Sequence, residues 1–329
     1  MKERKEKQFR IAAVTDEAVY EGLRDLWRGI FGDTPGFIDA FYENFGDDIM
    51  GYAVIDEADE VCSALSCHLC GEFEGRPVYV SYAICTREDM RGQGLAAKLT
   101  SSVRDEVVRS GGISLVSPAE PSLVSYYAGL GYEPHFLAIE RAVMSPDFDE
   151  EEFDDFDEYD LDIGPGNADE GPLRPVIDLQ PLSREKYNIY REAFLSGRPH
   201  IAPTDEMLRL MESESMDGCG MCSINRGDAI CIIGEAGPAR VVLTELILNP
   251  VLHELSMDID VEIASMIAKH FDAAETVYFT PGDGGCQGMV CGLPDGSDGS
   301  CGDPAADEPD REVEFSVQTG EPYYGFPIQ

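Results

Sequence analysis

The chain predicts an α/β protein on a mixed sheet (α+β in character), organised as two halves of like plan. Three observations predict it. Residues 78–110 read as a strand, a glycine-flanked basic loop and a helix. Val78, Val80, Tyr82 and Ile84 alternate, Arg91-Gly92-Gln93-Gly94-Leu95-Ala96 follows, and Leu95, Leu99, Val103 and Val107 then recur every fourth residue. The elements read over residues 9–144 run β-α-α-β-β-β-α-β-α-β, which suits a mixed sheet and not a doubly wound one. Beyond an acidic stretch, helices, three strands, a long helix and a strand return in the same order. That return predicts an internal structural repeat with little sequence identity.

Taken in order, residues 9–14 read as the first strand. Thr15 is placed to cap a helix that runs to Phe31, with Val19, Leu23, Leu26, Trp27, Ile30 and Phe31 on one face. Thr34 and Pro35 read as the cap and first residue of a second helix that buries Phe37, Phe41 and Phe45. Residues 51–55 and 61–73 read as strands joined by the acidic turn D-E-A-D-E, and Gly75 turns the chain into the 78–86 strand. The helix over 94–110 stops at Gly111-Gly112. A short apolar strand (113–116), a helix (121–128) and a closing strand (135–144) complete a first domain over residues 1–145. Residues 146–175 form a linker. Between 147 and 162 it carries acids at 147, 149–152, 154, 155, 157, 158, 160 and 162 and no Lys or Arg, so self-repulsion predicts an extended chain. The second domain, 176–329, reads as helices at 183–195, 204–215 and 250–271. Its strands are expected at 219–225, 229–235, 240–248, 276–279, 313–317 and 323–327. The Gly/Asp/Pro-rich stretch 283–310 reads as a disordered loop.

Acidic residues number 64 against 24 Lys and Arg, a net charge of −40. Such a surface repels nucleic acid and anionic membranes and favours cationic small molecules or basic proteins, although solubility alone accounts for it as well. No apolar run reaches membrane-spanning length, and no apolar stretch follows the basic N-terminus, so no signal peptide is read and a cytoplasmic protein is expected. The ten cysteines include two C-x-x-C pairs, Cys67/Cys70 and Cys219/Cys222. The pairs lie far apart in sequence, and within a strand such a pair points its thiols to opposite faces. Reduced core cysteines, with no metal, are the expectation.

Arg91-Gly92-Gln93-Gly94-Leu95-Ala96 fits the pattern Q/R-x-x-G-x-G/A, the strand Ala83-Ile84-Cys85-Thr86 stands before it, and Tyr126-Tyr127-Ala128-Gly129-Leu130-Gly131-Tyr132 fits an F-Y-x-x-x-G-F ending. On these three pieces residues 9–144 resemble the GCN5-related N-acetyltransferases. The whole chain is similar to their two-domain branch, tandem domains with a catalytic first copy and a degenerate second, whose strands match residues 227–231 and 243–248. The mycobacterial enhanced-intracellular-survival acetyltransferases share this tandem plan and add a sterol-carrier-like third domain, for which the chain is too short.

The resemblance implies acetyl-CoA as acetyl donor and transfer to a primary amine by direct attack in a ternary complex. It puts the pyrophosphate on Arg91, Gly92, Gln93, Gly94, Leu95, Ala96 and Ala97, and the pantetheine arm along Ile84, Cys85 and Thr86. Physical chemistry agrees with each assignment. A helix start offers free N–H groups at a positive dipole end, and glycines let a ligand approach the backbone. A strand edge can pair the pantetheine amides, and a backbone N–H beside the thioester carbonyl stabilises oxyanion charge. Tyr127 matches the family's general acid, a phenol that keeps its proton until a thiolate forms. No residue is marked as the base. His68, Glu120, Glu133, His135 and the terminal carboxylate of Gln329 are candidates, beside an ordered water. Cys85 has no activating partner in sequence and is not expected to act as a nucleophile. The acceptor is expected to be a small-molecule or peptide amine, with a cationic one suiting the charge, and both monomer and homodimer are open. A non-catalytic acyl-CoA-binding sensor or scaffold is the alternative. After Leu248 the second copy runs Asn249-Pro250-Val251-Leu252-His253-Glu254, with neither glycine nor Arg, and Glu254, Asp258 and Asp260 would repel a pyrophosphate, so it is not expected to bind CoA.

Overall fold

The computed structural model describes residues 8–146, 177–215, 218–253 and 258–293. In the first half, β1 (Arg10–Ala13) leads into α1 (Glu17–Phe31) and α2 (Pro35–Phe45). The strands β2 (Ile49–Ile55), β3 (Val61–Phe73) and β4 (Arg76–Thr86) follow, then α3 (Leu95–Arg109), β5 (Ile113–Val116), α4 (Ser122–Ala128) and β6 (Glu133–Met144). The second half comprises β7 (Leu179–Pro181), α5 (Arg184–Phe194), β8 (Ala202–Pro203), α6 (Asp205–Glu214), β9 (Gly220–Ile224), β10 (Ala229–Ala236) and β11 (Arg240–Leu248). It ends with α7 (Pro250–His253), α8 (Ile259–His270), β12 (Glu275–Pro281) and β13 (Gly285–Cys291).

The expected caps are close to the observed ones. Thr34 caps α2 by accepting from Phe37 N, with Pro35 in the first turn. For α1 the cap is Asp16 and not Thr15. Its carboxylate accepts from Val19 N at 3.0 Å, the three-residue reach a side-chain cap needs. Val19, Leu23 and Trp27 are buried, whereas Ile30 and Phe31 at the end of the helix are exposed. Phe37 is half-buried, and Ile38 joins Phe41 and Phe45 in the core instead. The expected helix over 250–271 is interrupted: α7 ends at His253 and α8 starts at Ile259. The acidic run 147–162 and the strands expected at 313–317 and 323–327 lie outside the described residues.

The strands join one sheet in the order β1-β2-β3-β4-β5-β13-β6-β12-β11-β10-β9-β7, with β8 beside β3. Two pairs are parallel: β4 with β5 through Val78–Val80 and Ile113–Leu115, and β11 with β12 through Arg240–Val242 and Glu275–Val277. The stretch expected as a disordered loop over 283–310 is corrected over its first part, because β13 lies there, inserted between β5 and β6 and antiparallel to both. Its glycines serve close packing and not freedom. A Cβ on Gly284 would fall 2.1 Å from the Ala138 carbonyl oxygen, and one on Gly288 would sit 3.0 Å from the Phe136 ring. Met289 and Val290, which follow Gly288, are buried. In sequence β13 belongs to the second half; in space it completes the sheet of the first. Arg76 fastens it there, donating to the carbonyls of Gly111 (3.1 Å), Gly112 (2.9 Å) and Gly292.

One face of the sheet is covered by α1 and α2 together with α5 and α6 of the second half, over a core that contains Trp27, Phe41, Phe45, Val80, Cys85, Met207 and Met211. On the other face α3 packs Leu95, Leu99, Val103 and Val107 against Val54, Leu65 and Cys67. Cys67 and Cys70 face opposite sides of β3, as a C-x-x-C pair in a strand must, and no disulfide joins the cysteines of the described residues. In the second half a buried ion pair ties α5 to β11. Glu245 accepts from Arg191 Nε at 3.1 Å and from the Tyr187 hydroxyl at 2.5 Å, with the side chains of Arg191 and Glu245 fully buried.

Candidate active site

The site starts where β4 leaves β5. Their pairing ends at Val80 and Leu115, and beyond it, among the described residues, β4 pairs with β3 alone. Ser66 faces Tyr82 and Ala64 faces Cys85, so Leu65 stands opposite two residues, Ala83 and Ile84, and β4 bulges. Ala83 takes φ +51, the left-handed conformation that an L-residue adopts only at a price in steric strain. A bulge of this kind bends the strand and redirects its backbone groups. Here it widens the gap between β4 and β5 and, among the described residues, leaves the edge at Ile84 to Thr86 without a strand partner on that side.

The glycine loop lies at the end of this gap. Gly92 (φ +74) and Gly94 (φ +70) are both left-handed, and Gly94 caps α3, whose first turn carries no acid. A Cβ at either glycine would meet no protein atom within 4 Å, so the loop opens onto free space, with the N-terminus of α3 facing it. Arg91 is exposed and its Nε donates to the Thr86 carbonyl at 3.4 Å, which links the loop to the end of β4. Arg87 is engaged elsewhere, bonded to Asp89 and Glu60.

Tyr127 stands across the gap. It is buried in a cluster with Val116, Tyr132 and Met289, against which Ile84 packs. Burial, with Tyr126 beside it, pushes its phenol up to about 12, so it holds its proton through the neutral range. Tyr132 is anchored by a 2.9 Å hydrogen bond with Ser114 and supports the Tyr127 ring edge-on. Met289 comes from β13, and Ser117 at the end of β5 donates to the Gln287 carbonyl, so the second half builds part of this wall. The residues expected to hold the cofactor and the expected acid therefore converge on one gap, although they come from β4, the loop to α3, α3 and α4.

The expected candidates for the base do not converge there. His68 is fully buried among Phe41, Phe45 and Tyr82, with no hydrogen-bond partner on either ring nitrogen among the described residues, and burial lowers its pKa to about 3. His135 sits between Phe73 and Phe136 and is also lowered by burial. Glu120 and Glu133 are exposed, and Gln329 lies outside the described residues. The Cys85 thiol turns into the core towards the Ala64 carbonyl and is pushed up to about 12 by burial, which fits a structural thiol. No group of three or more metal-binding side chains occurs among the described residues.

A further carboxylate, unmarked by any motif, stands on the face opposite α3. Glu214, at the end of α6, lines a cavity of about 250 Å3 with Met211, Ser215, Gly234, Glu235, Val242 and Thr244. Its charge reaches the Tyr82 phenol, as does that of Asp33 in the loop between α1 and α2. Asp33 accepts from the Trp27 indole N–H at 2.6 Å, and Trp27 stacks edge-on against Tyr82. Glu214 is exposed as a residue, and local desolvation of its carboxyl, with the charge of Asp33 adding, pushes it up to about 7.

No family profile matches the sequence, and no curated protein is similar to it in sequence. Solved structures are similar in fold. A conserved protein of Enterococcus faecalis V583 superposes with a TM-score of 0.60 at 11% identity, over 86% of this chain and 72% of that one. A GCN5-related N-acetyltransferase of Anabaena variabilis does so with a TM-score of 0.59 at 12% identity, over 86% and 72%. Eis1 of Mycobacterium abscessus gives 0.50 at 11%, over 82% and 65%. This chain has the fold of the GCN5-related N-acetyltransferases. The match runs through both halves, so the acetyltransferase fold here includes the second half, with its inserted β13. No helix among the described residues is long and apolar enough to cross a membrane.

Proposed function

We propose that this protein is an acetyl-CoA-dependent N-acetyltransferase that passes an acetyl group to a primary amine by direct attack in a ternary complex. One observation carries the reading: the gap opened by the β4 bulge has an open glycine loop at one end and a buried, protonated Tyr127 on its far wall. In this reading Arg91 and the backbone from Gly92 to Ala97 hold the pyrophosphate, and the edge from Ile84 to Thr86 pairs the pantetheine amides. A backbone N–H at the bulge meets the thioester oxygen as the amine nitrogen attacks the carbonyl carbon. The C–S bond then breaks and the thiolate takes the Tyr127 proton.

The test is acetyl transfer from acetyl-CoA to a panel of primary amines, cationic and neutral. Tyr127→Phe should lower kcat by about 100-fold or more while the Kd for acetyl-CoA stays within twofold. Tight acetyl-CoA binding by the wild type with no transfer to any amine would overturn the reading in favour of a CoA-binding module.

A further inference from the structure

We infer that β13 of the second half sets the position of the Tyr127 phenol, with Met289 as the positioning residue, so that proton delivery to the leaving thiolate depends on a strand from outside the first half. The inference rests on the acetyl-transfer reading and deepens it.

α4 cannot hold Tyr127 in place by itself. It is two turns long, too short to be stable alone, and among the described residues no side chain caps its first turn. Its place comes from what it lies on, chiefly β6 and β13. The first half supplies β6 and the second supplies β13, so Tyr127 stands on a platform to which each half gives one strand. Tyr132, fixed to Ser114, meets the Tyr127 ring edge-on with 6.1 Å between centroids. Met289, fully buried, belongs to the same cluster.

The register of β13 decides which side chain reaches that cluster. Met289 stands opposite Val116 of β5, and both join Tyr127 and Tyr132. Val290 turns into the core on the other face. A slip of one residue would exchange the two faces and bring Val290, or Gly288 with no side chain, to the place of Met289. Three contacts hold the register. Ser117 Oγ donates to the Gln287 carbonyl at 2.7 Å, Gly288 fits against Phe136, and Arg76 donates to the Gly292 carbonyl. A phenol that must meet a sulfur at hydrogen-bond distance tolerates little displacement, and truncating the wall beside it opens a space into which the ring and its short helix can shift.

The experiment measures acetyl transfer, acetyl-CoA affinity and amide hydrogen exchange at a temperature where circular dichroism shows each protein folded. It compares wild type with Met289→Ala, Met289→Val, Met289→Leu, Tyr127→Phe and the double variant Tyr127→Phe/Met289→Ala. Ile263→Ala, which truncates α8 in the core of the second half, is the control for lost stability. Met289→Ala should lower kcat about tenfold with the Kd for acetyl-CoA within about twofold, Met289→Val should lower it less, and Met289→Leu should recover most of the loss. In the Tyr127→Phe background Met289→Ala should cost less than about twofold, because the proton it positions is already gone. Ile263→Ala should lower Tm and leave kcat within about twofold. Exchange over residues 122–128 should quicken in Met289→Ala while that over α3 stays as in wild type. A tenfold loss in both backgrounds, or an equal loss of kcat in Ile263→Ala, would overturn the positioning role and leave acetyl transfer standing. Unchanged exchange over residues 122–128 in the Met289 truncations would overturn the platform whatever the activity. A wild type that acetylates no amine would overturn the acetyl-transfer reading and, with it, the part of Met289 in proton delivery.

Discussion

In the first half β4 runs beside β5 for three residues and departs from it; in the second, β11 runs beside β12 for three residues and departs likewise. Both departing strands bulge soon after the pairing ends. Leu65 on β3 stands opposite Ala83 and Ile84, and the β10–β11 register slips by one residue at Thr244. Past the bulge the halves diverge. Ala83, three residues beyond Val80, leaves a free edge. Glu245, three residues beyond Val242, is instead buried against Tyr187 and Arg191 of α5. The helices differ in the same sense. α3 follows the open Gly94 and has no acid in its first turn, whereas α8 has Asp260 and Glu262 there, with Asp260 accepting from the Tyr278 hydroxyl at 2.9 Å. An anion drawn to α3 would find the α8 terminus already neutralised by its own side chains. One backbone plan thus yields a ligand gap or a sealed core according to a few side chains.

The comparison breaks most sharply at the seal. Glu245→Ala should cost about 3–5 kcal/mol, because it leaves Arg191 charged and buried without its partner. Replacing both, Glu245→Leu with Arg191→Met, should restore most of that loss. Urea unfolding of the two variants decides it, and an equal loss in both would show that the pair is not the seal. The first half buries a different polar group, His68, neutral and unpaired. Its pKa is lowered from 6.5 to about 3, so below pH 6.5 the unfolded chain takes a proton that the folded chain refuses. Stability should fall as pH drops through that range, by about 2 kcal/mol at pH 5. His68→Phe should remove this loss while matching wild type at pH 8, as urea midpoints at the two pH values would show. The smallest effect falls on the loop. Gly94→Ala, at φ +70, should cost about 1 kcal/mol of stability and weaken acetyl-CoA about tenfold by calorimetry, whereas Asp260→Ala should leave that affinity unchanged.

Most of the first half could be read from local pattern. The alternation from Val78 to Ile84, the glycine loop and the four-residue stripe of α3 are decided by neighbours in sequence, and so is the pairing of Tyr127 with the F-Y-type ending. β13 could not be read this way. Its G-C-Q-G-M-V-C run has the composition of a loop, and only the close approach of Ala138 and Phe136 explains why glycine stands at 284 and 288. Glu214 was hidden for a related reason. It sits at the end of an ordinary amphipathic helix, and only the fold brings Asp33 and Tyr82 of the other half within reach of its charge. The Asp16 cap was missed by one residue because Thr15 and Asp16 are both capping types, and three-residue reach to Val19 decides between them.

The insertion of β13 also bears on how the protein is made. Ser117 and Gln287, which close the wall beside Tyr127, are 170 residues apart in sequence. During synthesis the ribosome therefore releases β5, α4 and β6 long before the strand that must enter between β5 and β6. Contacts of such separation form slowly, since the loop entropy is lost before the contact rewards it. The nascent first half carries an unfilled slot, with both strand edges unpaired, until residue 291 emerges. Any function that needs the wall beside Tyr127 would then begin only once β13 has entered, and the second half would supply the last piece of that wall to arrive.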